Sequence, residues 1–223
     1  MNAIMSDSTE DSRIREKFFK NISRTFKPAV LKYGLGNRRV LDIGCGYGQY
    51  LAHFGTGSLG IDANPKMVDY CVTHGLSALC ADVDAGLPVD SGTFDVVWCS
   101  NFLEHAVSPH ALLRGMHEVL CSGGLIFVKV PLIPHPIFEF FWRAVCRKPA
   151  GYHASEHLYA YTSRTVSFII ERAGFELVER SLFWPSSPFI RRITDAIAIP
   201  FGFTGTFVAR KREDFAYPAK RPV

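Results

Sequence analysis

The stretch Val40-Leu41-Asp42-Ile43-Gly44-Cys45-Gly46-Tyr47-Gly48-Gln49-Tyr50-Leu51 constrains this chain more than any other. A short apolar run carries an acidic residue, a glycine-dense turn follows, and a segment of helical character comes next. The layout reads as strand, tight loop and helix start. Alternating glycines let a backbone approach a ligand closely, because no Cβ stands in the way. A helix opening over residues 49–54 would present free N–H groups at its N-terminus. Asp42 adds a negative charge at the strand end, which suits a ligand with cationic groups better than a polyanion. A dinucleotide fingerprint requires glycine, two apart from a second, three apart from a third. Gly44 and Gly46 meet the first two positions, but Gln49 stands at the third and the last glycine is Gly48. A phosphate-binding loop would end in Lys and then Ser or Thr, and this loop does not.

The rest of the chain sets that loop in a β/α alternation. Residues 39–43, Leu59–Asp62, 76–80, Phe94–Ser100 and 125–130 read as strands. Residues 64–74 read as a helix with Asn64 as its cap and Pro65 at its first position. Residues 109–120 read as an amphipathic helix closed by Gly123-Gly124. Residues 131–161 break the pattern with prolines and the aromatic patch Phe138, Phe140, Phe141 and Trp142. A helix over 163–173 and a strand over Phe175–Phe183 restore it. A second insertion spans 184–201, and a last strand spans 203–210. Such alternation specifies a parallel sheet with helices on both faces, with ligands outside the strands' carboxyl ends.

With 223 residues, the chain is long enough for one α/β domain. Residues 1–11 read as a disordered polar leader and 12–33 as one or two helices. A net charge of +4, scattered along the chain, offers no basic stripe, so nucleic acid is not a favoured partner. The six cysteines form no C-x-x-C pair and no zinc spacing with histidine, which points to a reducing cytoplasm. No apolar signal core or bilayer-length run is present in the sequence.

Acidic residues recur at the strand ends. Asp62, closing Leu59-Gly60-Ile61-Asp62, can accept hydrogen bonds from both hydroxyls of a ribose. Asp82, in Cys80-Ala81-Asp82-Val83, can accept one from an adenine amino group. Taken in order, Asp42 with the glycine loop, Asp62, Asp82 and the segment Phe94-Asp95-Val96-Val97-Trp98-Cys99-Ser100-Asn101-Phe102-Leu103-Glu104-His105 resemble the motifs of class I S-adenosylmethionine-dependent methyltransferases. That resemblance implies a Rossmann-like, doubly wound, mostly parallel seven-stranded sheet with its last strand antiparallel. It implies S-adenosyl-L-methionine as methyl donor, held by Asp42, Gly44, Cys45, Gly46, Gly48 and Gln49. Asp62 would take the ribose, and Ala63 and Met67 would flank the adenosine. Asp82 and Val83 would meet the adenine, and Ser100 and Asn101 the methionine end. Glu104 and His105 would face the acceptor. Asp95 begins its strand and touches no ligand in this reading.

Methyl transfer from a sulfonium needs alignment above all, and a hydroxyl nucleophile gains from a general base, for which histidine is suited. His105 is the first candidate and His157 the second, with His153 behind them; a structural role for His105 stays equally open. His53, His74, His110 and His117 are read as surface residues. Ubiquinone-pathway O-methyltransferases and small-RNA 2′-O-methyltransferases hold a divalent ion with Glu-x-x-Glu-His. Here Asn101 replaces the first carboxylate, so no metal is expected. The insertions would form a lid, and their aromatic residues suit a hydrophobic or aromatic acceptor. A dimer interface, a membrane-surface contact next to Arg143, Arg147 and Lys148, or ordinary core are the other readings of that patch. Three functions compete: methyl transfer to a small molecule, nicotinamide-dependent oxidoreduction, which Gln49 argues against, and non-catalytic binding of the cofactor. The acceptor, the atom methylated and the oligomeric state are not legible.

Overall fold

The computed structural model describes residues 22, 26–133, 157–183 and 204–216. The expected leader at 1–11, most of the first insertion and all of the second lie outside the described residues, as do His153 and the 138–142 patch. The chain divides into two compact units, Met1–Ala81 and Asp82–Val223.

In the first unit, helix α1 (Phe26–Tyr33) precedes strand β1 (Val40–Ile43), strand β2 (Leu59–Asp62), helix α2 (Pro65–Thr73) and strand β3 (Ala78–Cys80). β1 and β2 run parallel with Leu41 opposite Leu59 and Ile43 opposite Ile61. β3 joins β2 in parallel, with Asp62 opposite Cys80. All four residues of β1 are buried, so the strand is covered on both faces, as parallel strands are. That explains a run of Val, Leu and Ile without alternation. Phe26 is 1% exposed and its ring lies 4.7 Å from that of Tyr50, tying α1 to the end of the glycine loop. Asn64 caps α2 as expected, its side chain accepting the Lys66 N–H at 3.0 Å.

The helix expected at 49–54 is instead a 3-10 helix of three residues, Leu51–His53. One helical bond forms, Ala52 N–H to the Gly48 carbonyl at 3.0 Å, and the next two are tighter i to i+3 bonds. Gly55 then turns away, its N–H bound to the carbonyls of Leu35 and Arg38. Too few residues separate Gly48 from Gly55 to repay helix nucleation.

In the second unit, β4 (Phe94–Ser100) is followed by helix α3 (Pro109–Val119), β5 (Leu120–Pro131), helix α4 (Ser163–Arg172), β6 (Phe175–Phe183) and β7 (Thr204–Lys211). β4 and β5 are parallel. β7 lies antiparallel to β5 and to β6, the inserted last strand that the resemblance implies. Trp98 and Phe127 stack across β4 and β5 with ring centroids 5.2 Å apart. Thr162 and Thr165 form a reciprocal capping box at the start of α4, satisfying two otherwise orphaned groups. The strand order is β3-β2-β1-β4-β5-β7-β6, the Rossmann-like arrangement expected.

Gly123-Gly124 does not close α3, contrary to expectation. The helix ends at Val119 and Leu120 already pairs with Phe94. The register then jumps so that Val96 faces Leu125, and the glycines sit in the resulting bulge. The Gly123 N–H donates to Glu213 Oε1 at 2.7 Å.

Gly60 on β2 is a close-approach glycine that sequence reasoning passed over. A Cβ there would lie 2.7 Å from Cys45 Sγ and 2.8 Å from Leu51 Cδ2. Gly60→Ala should therefore destabilise the fold by about 1–3 kcal/mol, as overpacking does. Gly36→Ala, whose Cβ would meet nothing nearer than 3.7 Å, should stay within about 0.5 kcal/mol of the parent. Denaturant unfolding of both variants checks the contrast.

Candidate functional site

The first unit carries the glycine loop on β1 and β2. Gly44 and Cys45 donate their N–H groups to the Ile61 carbonyl at 2.8 and 3.1 Å, and Gly48 donates to the Cys45 carbonyl at 2.9 Å. Gly46 N–H donates to Asp62 Oδ2 at 2.9 Å. The amides of Gly44, Cys45, Gly46 and Gly48 are thus engaged within the protein. Gly48 has φ +77°, and a Cβ on it would meet Leu76 Cδ1, so this glycine serves packing against the chain that follows α2.

Asp62 does double duty. Its Oδ1 accepts the Asn64 N–H at 2.9 Å while Oδ2 holds the loop. Each carboxylate oxygen keeps a further lone pair for an outside donor. Ala63 is exposed and Met67 half-buried on the turn and first helical residues beyond Asp62. Cys45 and Cys71 both direct their thiols to the Gly46 carbonyl, at 3.8 and 3.4 Å, fixing the loop from beneath.

Asp42 is 1% exposed. Burial, then the proximity of Cys71 and Asp62, pushes its carboxyl well above the usual carboxylate range. The negative charge read from the sequence is therefore suppressed in the protein by itself. Asp42 Oδ2 and Gln49 Oε1 are both buried without a hydrogen-bond partner among the described residues. Buried acceptors of this kind are costly unless a donor reaches them.

The second unit carries the remaining candidates. Asp82 is exposed and caps a short 3-10 turn, accepting the Asp84 N–H at 3.0 Å, with Val83 buried beside it. Ser100 ends β4, its Oγ buried without a partner among the described residues. Asn101 follows with φ +54°, a left-handed conformation that Asn tolerates better than most residues. Its N–H donates to the Lys129 carbonyl at 2.7 Å.

Glu104 and His105 sit in the turn after β4. Glu104 is 1% exposed; burial pushes its carboxyl up from an ordinary 4.5 to about 7, against the opposing pull of its own backbone N–H and of Lys129. Its Oε2 has no hydrogen-bond partner among the described residues. Its carbonyl accepts the N–H groups of Leu158 and Tyr159 at 2.9 and 3.2 Å. The Tyr159 hydroxyl donates to the Val107 carbonyl at 2.8 Å and that of Tyr161 to the Leu103 carbonyl at 3.3 Å. These bonds clasp 157–161 onto 103–107 and bring His157 to His105, ring centroids 4.9 Å apart.

Glu104, His105 and His157 offer metal-ligand atoms that all lie within 4.8 Å of one another. Motif spacing, with Asn101 in place of a carboxylate, predicts no metal, and that motif does not include the donor from His157. Asp95 holds Cys121, whose thiol donates to its Oδ1 at 3.3 Å, in keeping with a structural role. Of the histidines read as surface residues, His53 and His74 are exposed. His110 and His117 are partly buried, which corrects that reading, and the His117 ring lies 5.3 Å from that of Phe175. Nothing in the local sequence around Tyr161 and Lys129 marks either as part of a site.

Glu104 links stability to pH. An acid whose folded pKa lies above its unfolded value binds more protons when folded, so stability falls as pH rises. The window for Glu104 runs from about 4.5 to about 7. Glu104→Gln should flatten the decline of melting temperature over that window, leaving the variant relatively more stable at pH 8 than at pH 4.5. Melting curves of both proteins across pH check this.

The family model described as "Methyltransferase domain" matches residues 41–128. An uncharacterized methyltransferase of Synechocystis is 31% identical over 153 residues, covering 66% of this chain and 70% of that protein. The ubiquinone biosynthesis O-methyltransferase of Xanthomonas oryzae is 35% identical over 103 residues, 42% of this chain and 43% of the relative. The chain thus spans less than half the length of the ubiquinone-pathway relatives it matches. In fold it resembles a solved SAM-dependent methyltransferase from Archaeoglobus fulgidus, with a TM-score of 0.61 at 24% identity over 90% of this chain and 99% of that one. With its glycine loop, its acids at the strand ends and these relatives, the chain belongs to the class I methyltransferases, whose methyl donor is S-adenosylmethionine.

Proposed function

We propose that the protein transfers a methyl group from S-adenosylmethionine to a hydroxyl of a small-molecule acceptor, with His105 as general base. The observation that carries the reading is the meeting of His105 and His157 from separate segments at the turn after β4. The donor fits the first unit's chemistry. Asp42 Oδ2 and Gln49 Oε1 are buried acceptors in want of a donor, and an amino group beside a sulfonium supplies donors and positive charge.

When bound, S-adenosylmethionine provides an electrophilic methyl on a good leaving group. The chain's own residues then position and manage protons. The Gly44–Gly48 loop, Cys45 included, would lie along the methionine part, with Asp42 and Gln49 as acceptors. Asp62 would receive the ribose hydroxyls on the lone pairs that its loop bonds leave available. Ala63 and Met67 would flank the adenosine, and the roles of Asp82, Val83 and Asn101 follow the family resemblance. His105 would take the proton of the acceptor hydroxyl, with His157 beside it and Glu104 as the buried acid that orients the pair. Hydroxyl is favoured over nitrogen or carbon because these groups are suited to removing a proton. A cytoplasmic site of action belongs to this proposal; among the described residues no helix is long and apolar enough to cross a membrane.

One observation favours a second reading. The donor atoms of Glu104, His105 and His157 could close on a divalent cation, which would polarise the acceptor hydroxyl in place of a base. Exhaustive chelation followed by single-metal addition separates the two: activity that survives chelation belongs to the base.

Two substitutions test the first reading. Asp62→Asn keeps one acceptor for the loop and removes the charge. It should weaken S-adenosylmethionine binding by about 1.5–3 kcal/mol for each charge-assisted bond lost; an unchanged Kd places the ribose elsewhere. His105→Ala should lower turnover by roughly 10²–10⁴-fold while calorimetry shows unaltered cofactor affinity. A fall in melting temperature with turnover per folded molecule preserved would assign His105 a structural role. Binding without transfer to any component of a cell extract would mark a non-catalytic cofactor-binding protein.

A further inference from the structure

A polar row crosses the strands of the second unit. Lys129 on β5 stands opposite Ser100 on β4 and opposite Thr206 on β7, and Thr206 stands opposite Ser181 on β6. Residues paired in register project from the same sheet face, so these side chains share one side. From β4 to β7 the rows on either side are apolar, Cys99, Val128 and Phe207 on one, which reaches Arg180 on β6, and Val130 with Gly205 on the other, which reaches Leu182. On the two inner strands β4 and β5 the neighbouring residues Cys99, Val128 and Val130 are buried and apolar, so the serine and lysine between them stand out.

Ser181 is satisfied, donating to Glu179 Oε1 at 3.4 Å. The middle of the row is not. Ser100 Oγ and Thr206 Oγ1 are buried without a hydrogen-bond partner among the described residues, and Thr206 as a whole is 8% exposed. Between them Lys129 is only half-buried. Burial pulls its ammonium below the usual lysine range, and Glu104 pulls it back up. Among the described residues no ion pair joins Lys129 and Glu104. A cation flanked by two hydroxyl donors is an arrangement for an oxygen anion, and a planar carboxylate can accept from all three at once.

We infer that Lys129, with Ser100 and Thr206 at its sides, is a binding site for a carboxylate carried by the methyl acceptor. The acceptor class becomes a hydroxy acid, its carboxylate held by the row and its hydroxyl presented to the turn that bears Glu104 and His105. This rests on the methyl-transfer reading and deepens it. Lys129 belongs to the same β4–β5 end as that turn: its carbonyl receives the Asn101 N–H at 2.7 Å.

The test uses the full chain saturated with S-adenosylhomocysteine. A panel of aromatic and aliphatic hydroxy acids is compared with the methyl esters of the same compounds by thermal shift and calorimetry. At least one acid should bind the parent and its ester should not. Lys129→Met should lose roughly 10–100-fold in affinity for that acid, Lys129→Arg should recover part of it, and Thr206→Val should fall between. Equal binding of acids and esters, or of acids to parent and Lys129→Met, overturns the inference, as does the failure of every acid to bind. The donor itself carries a carboxylate, so S-adenosylmethionine affinity is measured on each variant. A Kd that weakens in Lys129→Met assigns the row to the donor and overturns the inference. Should S-adenosylmethionine fail to bind even the parent, the methyl-transfer reading fails, a result distinct from any of these. Melting temperatures of the variants in the absence of ligand confirm that folded proteins are compared.

Discussion

The first unit depends on one carboxylate. Asp62 ends β2 and binds two backbone N–H groups at 2.9 Å, that of Gly46 in the glycine loop and that of Asn64 at the entry to α2. Charge-assisted bonds to backbone amides are among the stronger ones a side chain makes. They freeze a loop with three glycines at positive φ, Gly44, Gly46 and Gly48, which would otherwise cost more backbone entropy to order than most sequences. The residue suited to a ribose is thus also the residue that shapes the cradle. A substitution there acts on ligand and loop together, because both carboxylate oxygens already accept a backbone N–H.

The second unit has a different centre. The carbonyl of Glu104 receives two N–H groups from the segment that bears His157, while its carboxyl is buried with one oxygen unpaired. A buried, partly satisfied acid costs stability. Acids of this kind cluster where chemistry is done, because desolvation brings a carboxyl into the range in which it exchanges protons near neutrality. The polar row through Lys129 shows the same pattern: unpaired hydroxyls and a desolvated cation are tolerated where a ligand would complete them.

The residues proposed to hold the cofactor could be picked out because they are local in sequence. Asp42, the glycine loop and Asp62 stand at the ends of short strands, and the ordering of strand, turn and helix can be read from apolar runs and glycines. Two local readings failed for local reasons. The helix at 49–54 lacked the length to form before Gly55, and Gly123-Gly124 served a bulge in a strand where a helix cap was expected. Both come from turn chemistry competing with propensity, which a glycine pair by itself leaves undecided. Gly60 was invisible because its reason is a neighbour: Cys45 and Leu51 pack where a side chain would be.

By itself the sequence determined the alternating β/α order, the antiparallel last strand through its family resemblance, and a glycine loop with an acid at the end of the next strand. These follow from periodicity, capping and steric freedom, which act over a few residues. Only the tertiary structure decided that His157 meets His105, that Glu104 and Asp42 are buried so that their carboxyls hold protons more tightly, and that Ser100, Lys129 and Thr206 fall in one row. Each of those depends on strand register or on backbone hydrogen bonds between segments far apart in the chain. Register moves whole faces of side chains together, and desolvation depends on everything packed around a group; neither can be read from a residue's immediate neighbours.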